Sequence, residues 1–172
     1  MKIGFCGTIS VGKTTLVKEL ANLPEFKDYF VATERSKYLR DLGIPLNTDS
    51  TVNGQILFLA ERASELLRPN LITDRTVLDV VAFTNSAKTI KSEQKKYIER
   101  LATSMLDQYD YIFYVSPEGV ELEDNGVRIV DQEYRMLIDK EIQDLLWFYL
   151  NGNYLELKGS TEERIKTILK AL

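Results

Sequence analysis

Short apolar runs alternate along this chain with longer stretches in which apolar residues recur every three or four positions. Five runs have the length and the polar or turn-forming boundaries of β-strands: residues 2–6, 29–33, 71–74, 111–115 and 154–157. Helical periodicity predicts helices that begin near Lys13 and that cover about 34–42, 52–67, 78–84, 97–106, 134–149 and 160–172. Strands that alternate with helices predict an α/β fold with a parallel sheet covered on both faces.

Two of these helices carry a clear apolar stripe, which we expect to face the core. In the helix over 52–67, the charged residues are predicted to lie off that stripe, which consists of Val52, Ile56, Leu59, Ala60, Ala63, Leu66 and Leu67. The stripe of the following amphipathic helix consists of Tyr97, Ile98, Leu101, Ala102, Met105 and Leu106. Residues 88–94 read as a charged surface connection, and the acidic, polar segment 118–131 as an exposed, mobile loop.

Length and composition narrow the class of protein. A chain of 172 residues with 44% hydrophobic and 28% charged residues suits a single soluble domain over 1–172. The net charge of −4 gives no general attraction to nucleic acid, which weakens a nucleic-acid partner without excluding it. We expect a cytoplasmic protein without membrane association, because no signal peptide or membrane-spanning run is evident. The composition leaves the oligomeric state open.

The scarcity of histidine and cysteine excludes several chemistries. The chain has no histidine, which removes histidine general bases, Ser-His-Asp catalysis and His-ligated zinc. Its one cysteine, Cys6, excludes an intrachain disulfide framework and a multi-cysteine metal site. Because Cys6 lies in the first predicted strand, we expect it to be a small buried core residue.

The segment from Gly7 to Thr14, between the first strand and the first helix, fits the phosphate-binding pattern G-x-x-x-x-G-K-[ST]. Main-chain N–H groups of such a loop form an anion site at a helix N-terminus. Lys13 can reach the β- and γ-phosphates of ATP, and the Thr14 hydroxyl can ligate Mg²⁺. The residues predicted to bind the nucleotide are Gly7, Thr8, Ser10, Val11, Gly12, Lys13, Thr14 and Thr15.

Acidic residues follow the second and third predicted strands. Ligands of open parallel sheets bind beyond the carboxyl ends of the strands, so Glu34 and Asp74 should converge on the P-loop. Asp74 is a candidate for a position beside Mg²⁺; its structural alternatives are a salt bridge to Arg75 or the N-cap of the next helix. Glu34 could accept the proton of a reacting hydroxyl, or it could simply favour the first turn of a helix.

Absent motifs narrow the class of P-loop protein. The sequence contains neither the Asn-Lys-x-Asp nor the Asp-x-x-Gly string of switch GTPases, and it lacks the Leu-Ser-Gly-Gly-Gln signature of transporter ATPases. Motor and ring ATPases are larger and end an apolar strand with paired acids, whereas Arg75 follows Asp74. The small kinases remain.

At this point the chain resembles a known family. The P-loop, Thr33-Glu34-Arg35, Asp74-Arg75-Thr76 with Leu78-Asp79-Val80, and Arg128 with Arg135 occur in the order found in compact P-loop kinases. These kinases are related to the nicotinamide riboside kinase domain of a bacterial NAD regulator and, more distantly, to deoxynucleoside and thymidylate kinases. The resemblance implies a three-layer fold with a five-stranded parallel sheet of order 2-3-1-4-5 and an arginine-bearing lid over about 117–135. It also implies transfer of the ATP γ-phosphoryl group to a nucleoside-like small molecule.

The resemblance assigns candidate roles beyond the P-loop. The residues expected to act in transfer are Lys13, Glu34, Asp74, Arg75, Arg128 and Arg135, with Thr14 and Asp74 at Mg²⁺. Glu34, Arg35, Gln55 and Arg75 are expected to contact the acceptor, Gln55 as a base-reading glutamine. Ordinary structural roles compete with these assignments. Arg75 could pair with Asp79 or Glu34, and Arg35, Arg128 and Arg135 could be exposed basic residues.

Three functions follow from this interpretation. The first is an ATP- and Mg²⁺-dependent kinase that acts on a nucleoside, a nucleotide or a similar small acceptor. The second keeps the reaction but acts on a modified base in DNA, as phage hydroxymethyluracil DNA kinases do. The third is a nucleotide-dependent switch or binding module, which hydrolyses ATP slowly and has no acceptor.

Overall fold

The computed structural model describes residues 1–33, 35–120 and 131–172. Within them, five short strands are β1 (Lys2–Cys6), β2 (Phe30–Ala32), β3 (Leu71–Thr73), β4 (Tyr111–Val115) and β5 (Leu155–Leu157). The helices are α1 (Lys13–Ala21), α2 (Ser36–Asp41), α3 (Val52–Glu65), α4 (Val77–Ser86), α5 (Ser92–Thr103), α6 (Gln132–Leu150) and α7 (Thr161–Ala171). Single 3₁₀ turns cover Pro24–Phe26, Asn47–Asp49 and Leu106–Gln108.

The strands form one parallel sheet in the order β2-β3-β1-β4-β5, which confirms the predicted topology. The central strand β1 alternates its side chains between two cores. Ile3 and Phe5 are fully buried on the face covered by α1 and α7, and Cys6 is fully buried on the face covered by the other helices. The expected burial of Cys6 is therefore confirmed. Helices on both faces give the predicted three layers.

Side-chain caps define where several helices begin. The Thr51 hydroxyl accepts a hydrogen bond from the Gly54 amide and caps α3. Ser160 and Glu163 form a capping box at the start of α7. A second capping box, between Thr76 and Asp79, begins α4 directly after β3. These caps satisfy amides that have no partner within their own helix, so they fix the strand-to-helix turns that border the site.

The buried faces of two helices differ from the prediction. In α3, Ile56 is 44% exposed, whereas the polar residues Gln55 and Arg62 are 2% and 3% exposed; Leu67, from the predicted stripe, lies beyond the end of α3 and is 83% exposed. The buried side of α3 is therefore partly polar. The predicted connection over 88–94 is wrong at its end, because α5 begins at Ser92. Tyr97, from the predicted stripe of α5, is also exposed.

No helix among the described residues combines the length and the apolar character that a membrane crossing requires.

The burial of Cys6 predicts a thiol that does not react in the folded protein. Burial, reinforced by the negative charge of Asp79, raises the pKa of the Cys6 thiol, and only the thiolate is nucleophilic. We expect a disulfide reagent at neutral pH to modify the native protein roughly 100-fold more slowly than the urea-unfolded chain, because reaction requires an opening of the structure. The absorbance of the released thiol measures both rates. Equal rates would contradict the buried position.

Candidate active site

The loop between β1 and α1 has the backbone of an anion site. Gly7, Ser10 and Gly12 have φ angles of 151°, 54° and 80°. A Cβ atom on Gly7 would lie 2.6 Å from the Val115 carbonyl oxygen, so this position requires glycine. Gly12 precedes α1 in the left-handed conformation and supplies no side-chain cap. No N-cap side chain competes for the first amides of α1, and the partial positive charge of a helix N-terminus favours an anion.

Buried cations hold the carbonyl groups of this loop. The Lys13 ammonium donates to the Gly7 and Thr8 carbonyls at 2.6 and 2.7 Å. From α6, Arg135 Nη2 lies 3.4 Å from the Ser10 carbonyl oxygen, and from α7, Arg164 Nη1 lies 2.7 Å from that of Val11. The loop is thus attached to helices that are distant in the sequence.

Asp74 joins the end of β3 to the P-loop. Its side chain is buried, and its Oδ2 accepts a hydrogen bond from the Thr14 hydroxyl. The N-cap of α4 is Thr76, so the alternative that Asp74 is this cap is wrong. A hydroxyl and a carboxylate are hard oxygen donors, and Mg²⁺ commonly takes one or two such protein ligands together with phosphate and water. Thr14 and Asp74 therefore fit a magnesium ion.

The carboxylate of Asp79 connects the P-loop with the turn after β3. Its Oδ1 lies 3.3 Å from the Gly7 amide nitrogen and 3.2 Å from Nη1 of Arg75. Its Oδ2 accepts hydrogen bonds from the amide and the hydroxyl of Thr76, at 2.8 and 3.0 Å. The structural alternative for Arg75, an ion pair with Asp79, is therefore present. This pair places the Arg75 guanidinium beside the P-loop.

A cavity lies on the other side of Arg75, between the P-loop, α2, α3 and α4. Its lining combines apolar side chains with polar ones: Ile9, Arg35, Ser36, Leu46, Asn47, Ser50, Gln55, Phe58, Arg62, Arg75, Asp79, Val80 and Phe83. The Gln55 side chain lines this cavity and is only 2% exposed. Its amide offers both a donor and an acceptor, so the cavity is suited to a ligand with complementary polar groups.

Each arginine that lines this cavity has a carboxylate partner. Arg75 pairs with Asp79 as described, and its guanidinium lies 4.9 Å from the centre of the Phe83 ring. Arg62 Nη2 lies 2.5 Å from Glu65 Oε1, and Arg35 Nη1 lies 3.4 Å from Glu61 Oε1. Burial raises the pKa of Glu65, although the Arg62 charge opposes that shift. The positive charge of the cavity is therefore balanced within the protein.

Some of the predicted site residues lie together at the P-loop and the cavity, and others lie outside the described residues. The P-loop, Asp74, Arg75, Gln55 and Arg35 meet there, whereas Glu34 and Arg128 lie outside the described residues, as does most of the predicted lid. Arg135 is only 3% exposed, at the start of α6. Its Nη1 donates to the Val120 carbonyl at 2.8 Å, and burial lowers its pKa.

Sequence reasoning missed Arg62, which it placed off the apolar stripe of its helix, and Arg164, which it did not single out. Both are 3% exposed. Arg62 lies seven residues after Gln55, which places both side chains on one face of α3. Arg164 precedes the buried Ile168 by four residues and so lies on the apolar face of α7. The available signal for their burial was this spacing, which places each arginine on the buried face of its helix.

Comparison with known proteins agrees with this geometry. A family model described as an AAA domain matches residues 2–164. The chain belongs to this AAA domain family. No curated protein sequence matches the chain significantly.

Solved structures share the fold of this AAA domain at low sequence identity. A deoxyadenosine kinase from M. mycoides, solved with the product dCMP and a flexible dCDP, has a TM-score of 0.68 and 19% identity, and the match covers 99% of this chain and 97% of the kinase. The NadR protein in complex with NAD and AMP-PNP has a TM-score of 0.71 and 16% identity, with coverages of 98% and 47%. NadR in complex with NR matches at 0.71 and 14%, with coverages of 98% and 50%. The chain thus spans about half of NadR, and the predicted relationship to the P-loop kinase fold is confirmed.

The central position of Asp79 predicts a loss of stability when its charge is removed. In Asp79→Asn, one oxygen acceptor becomes a donor that faces the Thr76 or Gly7 amide, so we expect unfolding to become easier by about 1–3 kcal/mol. Urea denaturation followed by circular dichroism measures this change. Asp144→Asn is the matched control, because Asp144 is exposed and pairs with Lys140 on the surface; we expect a change below about 0.5 kcal/mol. Equal effects of the two substitutions would contradict the connecting role of Asp79.

Proposed function

We propose that this chain is an ATP- and Mg²⁺-dependent phosphotransferase that moves the γ-phosphoryl group to the hydroxyl of a nucleoside-like small molecule. The observation that carries this proposal is the shared turn after β3. Asp74 contacts the P-loop through Thr14, and the next residue, Arg75, lines the cavity. Donor and acceptor sites would therefore meet across two adjacent residues, as in-line transfer requires.

On the donor side, the P-loop amides and Lys13 would bind the triphosphate. Bound Mg²⁺, held by Thr14 and Asp74, would neutralise charge on the β- and γ-phosphates. Lys13 now donates to two loop carbonyls, so it would exchange those partners for phosphate oxygens when ATP binds. Main-chain amides that are already oriented need no rearrangement during transfer, which favours the charged transition state.

On the acceptor side, the balanced charge of the cavity supports an uncharged nucleoside rather than a nucleotide. The three arginines of the cavity have carboxylate partners, so a second phosphate would compete with Asp79, Glu61 and Glu65 for them. Gln55 offers a donor and an acceptor, which suits the edge of a nucleobase or a carboxamide. The deoxyadenosine kinase, whose structure holds dCMP as a product, and the NadR complex with NR support a nucleoside-like acceptor.

The remaining roles follow from the chemistry of transfer. Glu34 would accept the hydroxyl proton of the acceptor as the acceptor oxygen bonds to the γ-phosphorus, and ADP would leave. Arg75 would stabilise charge on the transferred group. Arg128 and Arg135 remain candidates for closing the donor site. The Arg135 guanidinium already contacts the P-loop at the Ser10 carbonyl.

A transfer assay tests the proposed function directly. We expect γ-labelled ATP with Mg²⁺ to label at least one member of a panel of nucleosides, nucleoside monophosphates, nicotinamide riboside and DNA that contains 5-hydroxymethyluracil. The Lys13→Ala variant should lower the rate by at least about 100-fold, because it removes a cation that stabilises phosphoryl charge. Chromatography of the labelled products measures transfer.

The pattern of labelling separates the alternatives. Label on small nucleosides supports the proposal, whereas label on modified DNA alone identifies the DNA kinase. ATP hydrolysis that no acceptor accelerates, combined with nucleotide-dependent partner binding, identifies the switch. Normal transfer by Lys13→Ala would overturn the donor site itself.

The buried amide of Gln55 predicts a selective effect on the acceptor. We expect Gln55→Leu to raise the KM of the best acceptor by about tenfold, since its polar groups would meet an apolar surface, and to leave the KM of ATP within about twofold. Steady-state kinetics with each substrate varied in turn measures both constants. Gln108→Leu, at an exposed glutamine, should change neither. A parallel rise of both KM values would contradict a role in acceptor recognition.

A further inference from the structure

We propose that Arg164, on the last helix, is a positioning residue of the triphosphate site, which orients the peptide group between Val11 and Gly12 so that the Gly12 amide faces the phosphates. This inference rests on the proposed nucleotide site and adds a residue that the P-loop pattern does not contain. Arg164 lies 152 positions beyond Gly12, outside the motif.

Arg164 contacts the peptide group between Val11 and Gly12 on its carbonyl side. Arg164 Nη1 donates to the Val11 carbonyl oxygen at 2.7 Å. No peptide bond in the described part of the chain is cis, so the N–H of Gly12 points away from the carbonyl of Val11 and therefore away from Arg164. Gly12 has a φ of 80°, and glycine changes conformation at little cost. An external contact is thus needed to hold this peptide in one orientation.

A second contact ties the same guanidinium to the sheet. Arg164 Nη2 lies 3.3 Å from the carbonyl oxygen of Ser116, directly after β4. The Ser116 amide in turn donates to the Leu157 carbonyl at the end of β5. The guanidinium therefore bridges the P-loop and the end of the sheet, and its planar fork suits two separate acceptors.

The electrostatic environment of Arg164 points toward an anion. Its side chain is buried, and among the described residues no carboxylate forms an ion pair with it. Burial lowers its pKa, and no described residue hydrogen-bonds to its Nε. A buried cation whose partners are carbonyls is costly, and a polyphosphate on the other side of the loop would offset that cost. The charge also polarises the Val11 carbonyl, which strengthens the Gly12 N–H as a donor.

Ligand binding to three variants tests the proposal. Isothermal titration with Mg²⁺-ATP and with inorganic tripolyphosphate would be carried out on the wild-type chain, Arg164→Met, Arg164→Lys and Lys166→Met. We expect Arg164→Met to weaken both ligands by about tenfold or more, and Arg164→Lys to recover part of that loss, because lysine keeps the charge but cannot bridge both carbonyls. Lys166→Met removes an exposed cation from the same helix and should leave both affinities within about twofold.

Kinetics separate positioning from a general structural role. We expect Arg164→Met to raise the KM of ATP while the KM of the acceptor stays within about twofold of wild type. A loss of acceptor affinity equal to the loss of ATP affinity, or an Arg164→Met variant that binds ATP like the wild type, would overturn the proposal. If Arg164→Met does not fold, Arg164→Lys alone decides: severalfold weaker ATP binding with a native circular-dichroism spectrum supports the proposal, and unchanged binding overturns it.

The same titrations show which inference fails. A wild-type chain that binds neither ATP nor tripolyphosphate overturns the proposed donor site, and the role of Arg164 with it. A wild-type chain that binds both, together with an unaffected Arg164→Met, overturns the role of Arg164 alone.

Discussion

The P-loop depends on side chains that donate hydrogen bonds to its carbonyl groups. A loop that offers several amides to an anion must turn carbonyl oxygens elsewhere, and buried carbonyls need donors. Here the donors are long cationic side chains: Lys13 within the motif, Arg135 from α6 and Arg164 from α7. Two of the three come from the last quarter of the chain. The phosphate site is therefore a product of the whole fold, although the motif that identifies it is short.

The parallel sheet explains why the other functional groups lie where they do. All five strands end at the same edge, so the residue after β3 meets the loop after β1 without a long connection. Asp74 reaches Thr14 in this way, and Asp79, one turn into α4, reaches back to Gly7. The Thr76 capping box holds the turn between Asp74 and Asp79. This helix cap therefore also fixes the distance between the P-loop and the cavity.

Sequence reasoning recovered what periodicity and local motifs encode. The parallel sheet and the burial of Cys6 follow from apolar runs, and the P-loop follows from its glycine and lysine positions, whereas the strand order came from the resemblance to compact P-loop kinases. It failed where a buried face is polar. Gln55 and Arg62 are buried on α3 while Ile56 is exposed, because that face borders a cavity as well as the core. A rule that places charges in water cannot anticipate a guanidinium whose partners come from elsewhere in the chain, as those of Arg164 do.

The arginines of the cavity and those around the P-loop differ in their partners. Arginines of the cavity pair with carboxylates, so that region is close to neutral, in keeping with the uncharged acceptor that we propose. Arg135 and Arg164, around the P-loop, instead donate to main-chain carbonyls and keep more of their positive field, although Asp139 offsets part of it at Arg135. A polyanion would therefore be favoured on one side of Arg75 and disfavoured on the other. This difference in charge would direct the triphosphate to the P-loop side of Arg75 and the nucleoside to the cavity side before transfer. No further group would be needed to exclude the wrong ligand from either side.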